Sequence, residues 1–326
     1  MQFEPSGQRG RRLDAEMQAD LLQSLQHIAR ACEPSEISRN LAHPIELMKG
    51  GHAMPPSAFG LYFHLGETLF DERLDDAALA ASELSRCGAR RPGMVVQGRG
   101  SEASRRLDQT LDWRLEEGAK IFAPVAGPEV DAFRELLDQG MSLLALGAPG
   151  LHAEIAAFLS EVVVARSPAG GAIDFDGASH YQFWGLLMLN PLHHRNRLAV
   201  AEVLAHESGH SVLFGMSRES TLVLNPDDEL YDSPLRTDPR PMDGIFHATY
   251  VSARMAWAME TLLDSGCLSA DERDQALSAA HLDRDNFHKG VATVDMHAQL
   301  TPSGRAIMDE ARRWILASDR TNAGYR

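Results

Sequence analysis

Arg197-Leu198-Ala199-Val200-Ala201-Glu202-Val203-Leu204-Ala205-His206-Glu207-Ser208-Gly209-His210-Ser211-Val212-Leu213-Phe214-Gly215 is the stretch on which the reading of this chain turns. Its Leu, Val, Ala and Phe residues are apolar around most of a cylinder, with Asn196 in position to cap it and Gly215 to stop it. The stretch therefore predicts a buried helix. Within it His206 and His210 stand one turn apart; at ~1.5 Å rise per residue they are roughly 6 Å apart along the axis and project from one face. Both imidazoles then reach a single divalent ion. Glu207 points about 100° away; it is the candidate catalytic group, standing beside a metal-bound water as a base or orienting a ligand. An imidazole or carboxylate in a core costs several kcal/mol unless it is paired or coordinates a metal, which favours a metal site over an accidental match to a short pattern.

Length and composition bound the rest. The 326 residues suffice for one large domain or two ordinary ones, and 44% apolar content supports a substantial core. A formal net charge of −15 argues against nucleic acid or an anionic membrane as partner. Cys32, Cys87 and Cys267 are odd in number and widely spaced, which suggests neither a disulfide framework nor a cysteine zinc site. Met1 to Arg12 lacks the apolar centre of a signal peptide, and no apolar run approaches ~18 residues. A cytoplasmic protein is the expectation.

Two regions differ in character. Residues 1–160 read as a helical N-terminal region, with helices expected over Leu13 to Cys32, Asp71 to Cys87, Ser101 to Glu117, Gly127 to Leu144 and Gly150 to Leu159. Residues 161–326 read as the metal-binding catalytic region, the two forming one continuous globular unit. Glu161 to Ala165 and Tyr181 to Leu189 are strand-like, short and bounded by Gly, Pro and Asn. Strand, loop and then metal helix suggest a small sheet packed on that helix. The expected class is α+β, predominantly helical, with a small β-sheet packed on a buried His-Glu-x-x-His helix.

After Gly215 a proline-rich polar stretch runs from Arg218 to Gly244, long enough to be a lid or binding segment. A second apolar helix follows, from Ile245 to Leu263, ended by Gly266 and carrying His247 in its first turn. The tail from Ser269 to Ala317 reads as two or three surface helices, Thr301-Pro302-Ser303 starting the last of them. A metal held by two histidines needs a further protein ligand. The continuation Ser211 to Met216 lacks the third histidine of the long zinc-peptidase signature. Glu219 and Glu260 are on offer as carboxylates, but His247, arriving on an apolar helix, is the stronger candidate. His193 and His194 are fallback ligands and otherwise ordinary loop histidines. Arg236 and Arg240 lie just ahead of His247 among stiffening prolines; a guanidinium grips a carboxylate in two parallel bonds, so two of them beside a metal suggest a bound dicarboxylate, with salt bridges to Asp232, Asp238 or Asp243 as the bland alternative.

These residues carry a resemblance. His206-Glu207-x-x-His210, then Tyr231-x-Ser233-Pro234-x-Arg236-x-Asp238-Pro239-Arg240-Pro241, then Gly244-x-x-His247-Ala248-x-Tyr250, is similar to the αKG-HExxH family of peptide β-hydroxylases. The resemblance covers roughly Glu161 to Glu260. It implies an iron(II) and 2-oxoglutarate-dependent oxygenase that uses O2 to hydroxylate a side-chain β-carbon of a ribosomally made precursor peptide. By resemblance, His206, His210 and His247 hold the metal, and Arg236, Arg240 and Tyr231 belong to the cosubstrate site. Three histidines depart from the two-histidine, one-carboxylate triad usual in such oxygenases. The competing classes are a zinc metallopeptidase in which Glu207 is the general base, and a metal-free peptide-binding module.

Overall fold

Runs of apolar residues at helical spacing give way once, near Ser160, to short β-branched runs. The computed structural model describes residues 3–115, 121–170, 174–233 and 238–323, and all counts refer to these. Helices α1 (Gly7–Ala31), α2 (Glu36–Lys49), α3 (Pro56–Phe70) and α4 (Leu74–Ser85) precede strand β1 (Val95–Gly98). Next come α5 (Arg105–Arg114), α6 (Gly127–Gly147) and α7 (Pro149–Phe158), then strands β2 (Glu161–Val164), β3 (Gly177–Ala178) and β4 (Leu186–Leu189). The metal-motif helix α8 (Arg197–Met216) is followed by strands β5 (Leu230–Tyr231) and β6 (Arg240–Pro241), and by α9 (Met242–Ser265), α10 (Ala270–His297) and α11 (Pro302–Ala323). The protein is a predominantly helical α+β fold, 65% helix with a four-stranded mixed sheet.

Two compact units are interleaved along the chain. One comprises residues 10–138 and 156–195, the other residues 1–9, 139–155 and 196–326. The change of character at Ser160 is thus a change of secondary structure, not the border of a unit.

The first unit holds the sheet, in order β1-β2-β4-β3, with β1, β2 and β4 parallel and β3 antiparallel to β4. Val162 to Val164 and Leu186 to Leu189 are buried throughout, as parallel strands covered on both faces must be. Tyr181 to Leu189 is strand only in its second half. Gly185 adopts φ +84, a Cβ there would stand 2.7 Å from the Phe158 carbonyl oxygen, and its own carbonyl accepts from the N–H groups of Ser160 and Glu161 at 2.9 and 3.1 Å. Only glycine turns the backbone this closely.

In the second unit α8 begins as its sequence predicts: the Asn196 side chain accepts from the Ala199 N–H at 2.9 Å. Its end comes one residue later than expected, at Met216, where the Ser217 N–H still reaches the Leu213 carbonyl at 2.9 Å. Gly266, with φ +72, closes α9 in the left-handed conformation. Gly209 lets α9 approach closely: a Cβ on it would meet Val251 Cγ1 at 2.9 Å and Arg254 Cδ at 3.1 Å. Phe246, Tyr250, Val251, Phe287 and Ile307 form the heart of this unit's core. The proline-rich stretch is ordered in part by the β5–β6 ladder, which pairs Tyr231 with Arg240.

Candidate metal centre

Histidines from α8 and α9 meet in the second unit. His206 and His210 face each other through Nε2 at 3.1 Å, with rings inclined by 66°. His210 turns its other nitrogen, Nδ1, to Nδ1 of His247 at 3.0 Å. These two rings are nearly parallel, 16°, with centroids 5.3 Å apart; that is about the nitrogen contact plus two ring radii, so the imidazoles meet edge to edge. Phe214 lies against His247 with centroids 5.3 Å apart. Burial lowers the His247 pKa, opposed only by the charge of Asp243, whose Oδ2 is 4.0 Å from His247 Nε2.

His206 Nδ1 rests 3.4 Å from the Met255 thioether. A thioether only accepts, so a hydrogen bond here places a proton on His206 Nδ1. Glu207 is buried, with Oε1 3.9 Å from His206 Nε2, beside the edge formed by the two Nε2 atoms.

The expected grouping of His206, His210 and His247 is therefore met in contact, but not as three donors around one point. His247 stands behind His210, at the nitrogen opposite to the one facing His206. Among the described residues no group of three or more His, Cys, Asp or Glu side chains is arranged to share an ion.

Several sequence candidates are occupied elsewhere. Glu260 accepts from Arg284 Nε at 2.5 Å and from Ser318. Glu219 is exposed and bridged to Arg218 at 2.8 Å. His193 and His194, in the sheet-bearing unit, bind Asp174 and Asp176, each at 3.2 Å; they fasten a loop. The Tyr231 hydroxyl donates to Glu229 at 2.5 Å and accepts from Asn225 at 3.2 Å, and the bond to Glu229 raises its pKa. Arg240 pairs through Nη2 with Asp238 at 2.7 Å, while its Nε is buried without a hydrogen-bond partner among the described residues. Arg236 lies outside the described residues.

Met255 and Phe214 have no place in the sequence reading of the site, and Asp243 enters it only as a salt-bridge partner for the arginines. Asp243 and His247 are four apart on one helix, a spacing that brings side chains together and is visible in the sequence. Met255 sits two turns beyond His247 and is recognisable only once α8 and α9 are packed.

No family model matches the chain, and no curated protein matches it. Among the described residues no helix is long and apolar enough to cross a membrane.

Proposed function

We propose that this protein is an iron(II)- and 2-oxoglutarate-dependent oxygenase that hydroxylates a side-chain β-carbon of a precursor peptide in the cytoplasm. The observation that carries the metal is the pair of Nε2 atoms. Two ligand nitrogens at ~2.1 Å from an ion and about 90–110° apart are separated by about 3.0–3.4 Å, and those of His206 and His210 are 3.1 Å apart. A hydrogen bond from His206 Nδ1 to Met255 would leave Nε2 for the metal, and His210 Nε2 approaches along the same edge. Facing lone pairs at that distance repel unless a cation or a proton lies between them. His206 and His210 would supply two nitrogen donors to a divalent ion, and His247, in contact with His210, is the nearest candidate for the third.

When bound, iron(II) with 2-oxoglutarate and O2 supplies the oxidising power to hydroxylate an unactivated carbon. The chain's own residues do the rest. His206 and His210 bind, and the core around α8 and α9 excludes water. Glu207 stands within reach of a water or ligand at the Nε2 edge. Arg240, with an unspent Nε beside its bond to Asp238, and Arg236 are the cations offered to the distal carboxylate of the cosubstrate.

The second reading, a zinc hydrolase, is favoured by one observation: the buried Glu207 carboxylate lies 3.9 Å from His206 Nε2, where a base for metal-bound water would stand. Against it, Glu260 is bound to Arg284 and Ser318, and Glu219 to Arg218.

The test is anaerobic loading with iron(II), followed by 2-oxoglutarate and a precursor peptide. The expected result is one equivalent of iron, a charge-transfer band on adding 2-oxoglutarate, succinate release and a peptide heavier by one oxygen atom. His206→Ala and His210→Ala should lose both metal and turnover. Arg236→Ala or Arg240→Ala should raise the apparent 2-oxoglutarate constant at least about tenfold, near 1.4 kcal/mol, with iron still bound. Tight zinc, no 2-oxoglutarate response, and hydrolysis abolished by Glu207→Gln would replace this reading with the hydrolase.

A further inference from the structure

We infer that the outer face of α3 is a docking site for a basic amphipathic helix of another polypeptide. The site lies within the sheet-bearing unit, to which residues 62–76, 114 and 181–182 all belong, and does not depend on the metal reading of the histidines. At 3.6 residues per turn, Tyr62, Phe63, Gly66, Leu69 and Phe70 fall within about 120° of one another, on the side of α3 away from its buried Leu61, Leu65 and Thr68. A surface helix ordinarily turns charged groups to water. Glu67 is the one acidic or basic residue that α3 carries, while Phe70 is 88% exposed and Leu74, at the start of α4, 63%.

Two glycines on this helix differ in what they answer to. A Cβ on Gly60 would stand 2.4 Å from the Phe183 ring and 2.7 Å from Thr110 Cγ2, so packing inside the unit demands glycine there. A Cβ on Gly66 would meet no described atom within 4 Å. Glycine is the poorest helix former after proline, and nothing within the unit compensates for it at Gly66. What it does is leave a shallow recess between Tyr62 and Phe63 one turn before it and Phe70 one turn after. A side chain of a second helix fits there, in the helix-in-groove manner.

The recess has a prepared wall. Tyr181 stands edge-to-face against Phe63, with centroids 5.4 Å apart and planes at 83°. Its hydroxyl accepts from Gln182 Nε2 at 2.9 Å, Gln182 Oε1 accepts from Arg114 Nε at 2.8 Å, and Arg114 is paired with Glu67 of α3. An exposed ring fixed in this way gives up little rotamer freedom when a partner covers it. Charge then selects the partner. The C-terminal end of α3 is negative, and Asp71, Glu72, Asp75 and Asp76 follow it, all exposed, with Arg73 as the one cation among residues 71–76. A second copy of this chain, net charge −15, would bring a like rim against this one; lysines or arginines flanking an apolar stripe complement it.

The probe is a labelled synthetic helix of about four turns, leucines along one face and lysines along the other, compared with a peptide that has glutamates in place of the lysines. Fluorescence anisotropy at physiological salt should show the lysine peptide bound at least about tenfold more tightly than its acidic counterpart. Phe70→Ser and Gly66→Gln leave the net charge unchanged, and each should weaken the lysine peptide at least about tenfold. Gly66→Gln should at the same time raise the thermal midpoint, because it replaces a poor helix former in open space; a merely structural role would move binding and stability in the same direction. Absence of binding, equal binding of the two peptides, or undiminished binding in either variant overturns the inference. A wild-type protein that is dimeric by light scattering and made monomeric by Phe70→Ser overturns it too, and gives the face to a second copy.

Discussion

Helix α8 meets α9 through two sets of polar groups that are handled in opposite ways. Behind Ser208 and Gly209, Arg254 is fully buried and gives Nη2 to Glu154 Oε1 at 2.7 Å and, more distantly, to Ser208 Oγ at 3.4 Å. Glu154, equally buried, also accepts from Arg9 Nε at 2.6 Å and from the Ser6 N–H at 3.0 Å. Charge is answered by charge, and both carboxylate oxygens are engaged. On the face carrying His206 and His210 the groups are imidazoles in contact with one another, with Met255 and with His247. The Arg254 face is held by an ion pair that still leaves Arg254 Nε and Nη1 buried without a hydrogen-bond partner among the described residues, whereas the histidine face is built of ring contacts.

Four measurements would break or sharpen this contrast. Glu154→Gln leaves Arg254 and Arg9 as buried cations with no carboxylate, and breaking such a pair costs about 3–5 kcal/mol; urea unfolding should show a loss of that size, and one below about 1 kcal/mol would mean that the triad is not what holds this face. Gly209→Ala should destabilise by about 1–3 kcal/mol through overpacking against Val251 and Arg254. The sign is the informative part, because a glycine replaced by alanine without strain usually gains about 0.4–1 kcal/mol.

Asp283 provides a pH test. Burial, and then the charge of Glu202, push its pKa from the ordinary 3.8 up to about 8. Between those values the folded protein holds a proton that the unfolded chain has released, so this group's contribution to stability falls as pH rises and levels off above about 8. Its slope is at most about 1.4 kcal/mol per pH unit for one proton. Asp283→Asn should flatten that slope, and the variant should gain on wild type from pH 5 to pH 8; a parallel pH profile in the two proteins would refute the buried acid. The smallest effect is expected at the histidines: metal-free His210→Ala should lose only about 1 kcal/mol of stability, and under the proposed function it should take up no iron(II). A large stability loss in this variant would move His210 to the Arg254 side of the contrast.

Much of this arrangement was legible in the chain itself. The helix around His206, its Asn196 cap, the arrival of His247 on a second apolar helix and the Gly266 stop all depend on local spacing and local propensity. Glu36 to Lys49 and Pro56 to Phe70 escaped that reading. Pro44 lies inside the first of these helices and Pro55-Pro56 opens the second, so punctuation usually taken for loops stands within or at the head of helices. Val95 to Gly98 was too short and too close to glycine to read as a strand without its partner β2. At the site, residue types were legible but their direction was not. Which nitrogen of His210 faces His206 depends on side-chain rotation and on the packing of Met255 and Phe214, neither of which has a pattern of its own.

The interleaving of the two units bears on how the protein is made. Passing from residue 9 to 10, 138 to 139, 155 to 156 and 195 to 196, the chain changes unit four times. During synthesis the sheet-bearing unit is complete once residue 195 has left the ribosome, while residues 1–9 and 139–155 still wait for α8 to α11. Ser6 and Arg9 thus meet Glu154 early, but the partner of Glu154 on α9, Arg254, is among the late arrivals. The histidine unit must therefore close around segments that have spent most of translation without their core, the circumstance in which chaperones matter most. A cut of the gene after residue 195 leaves the sheet-bearing unit whole, but no single cut within the chain yields the histidine unit whole.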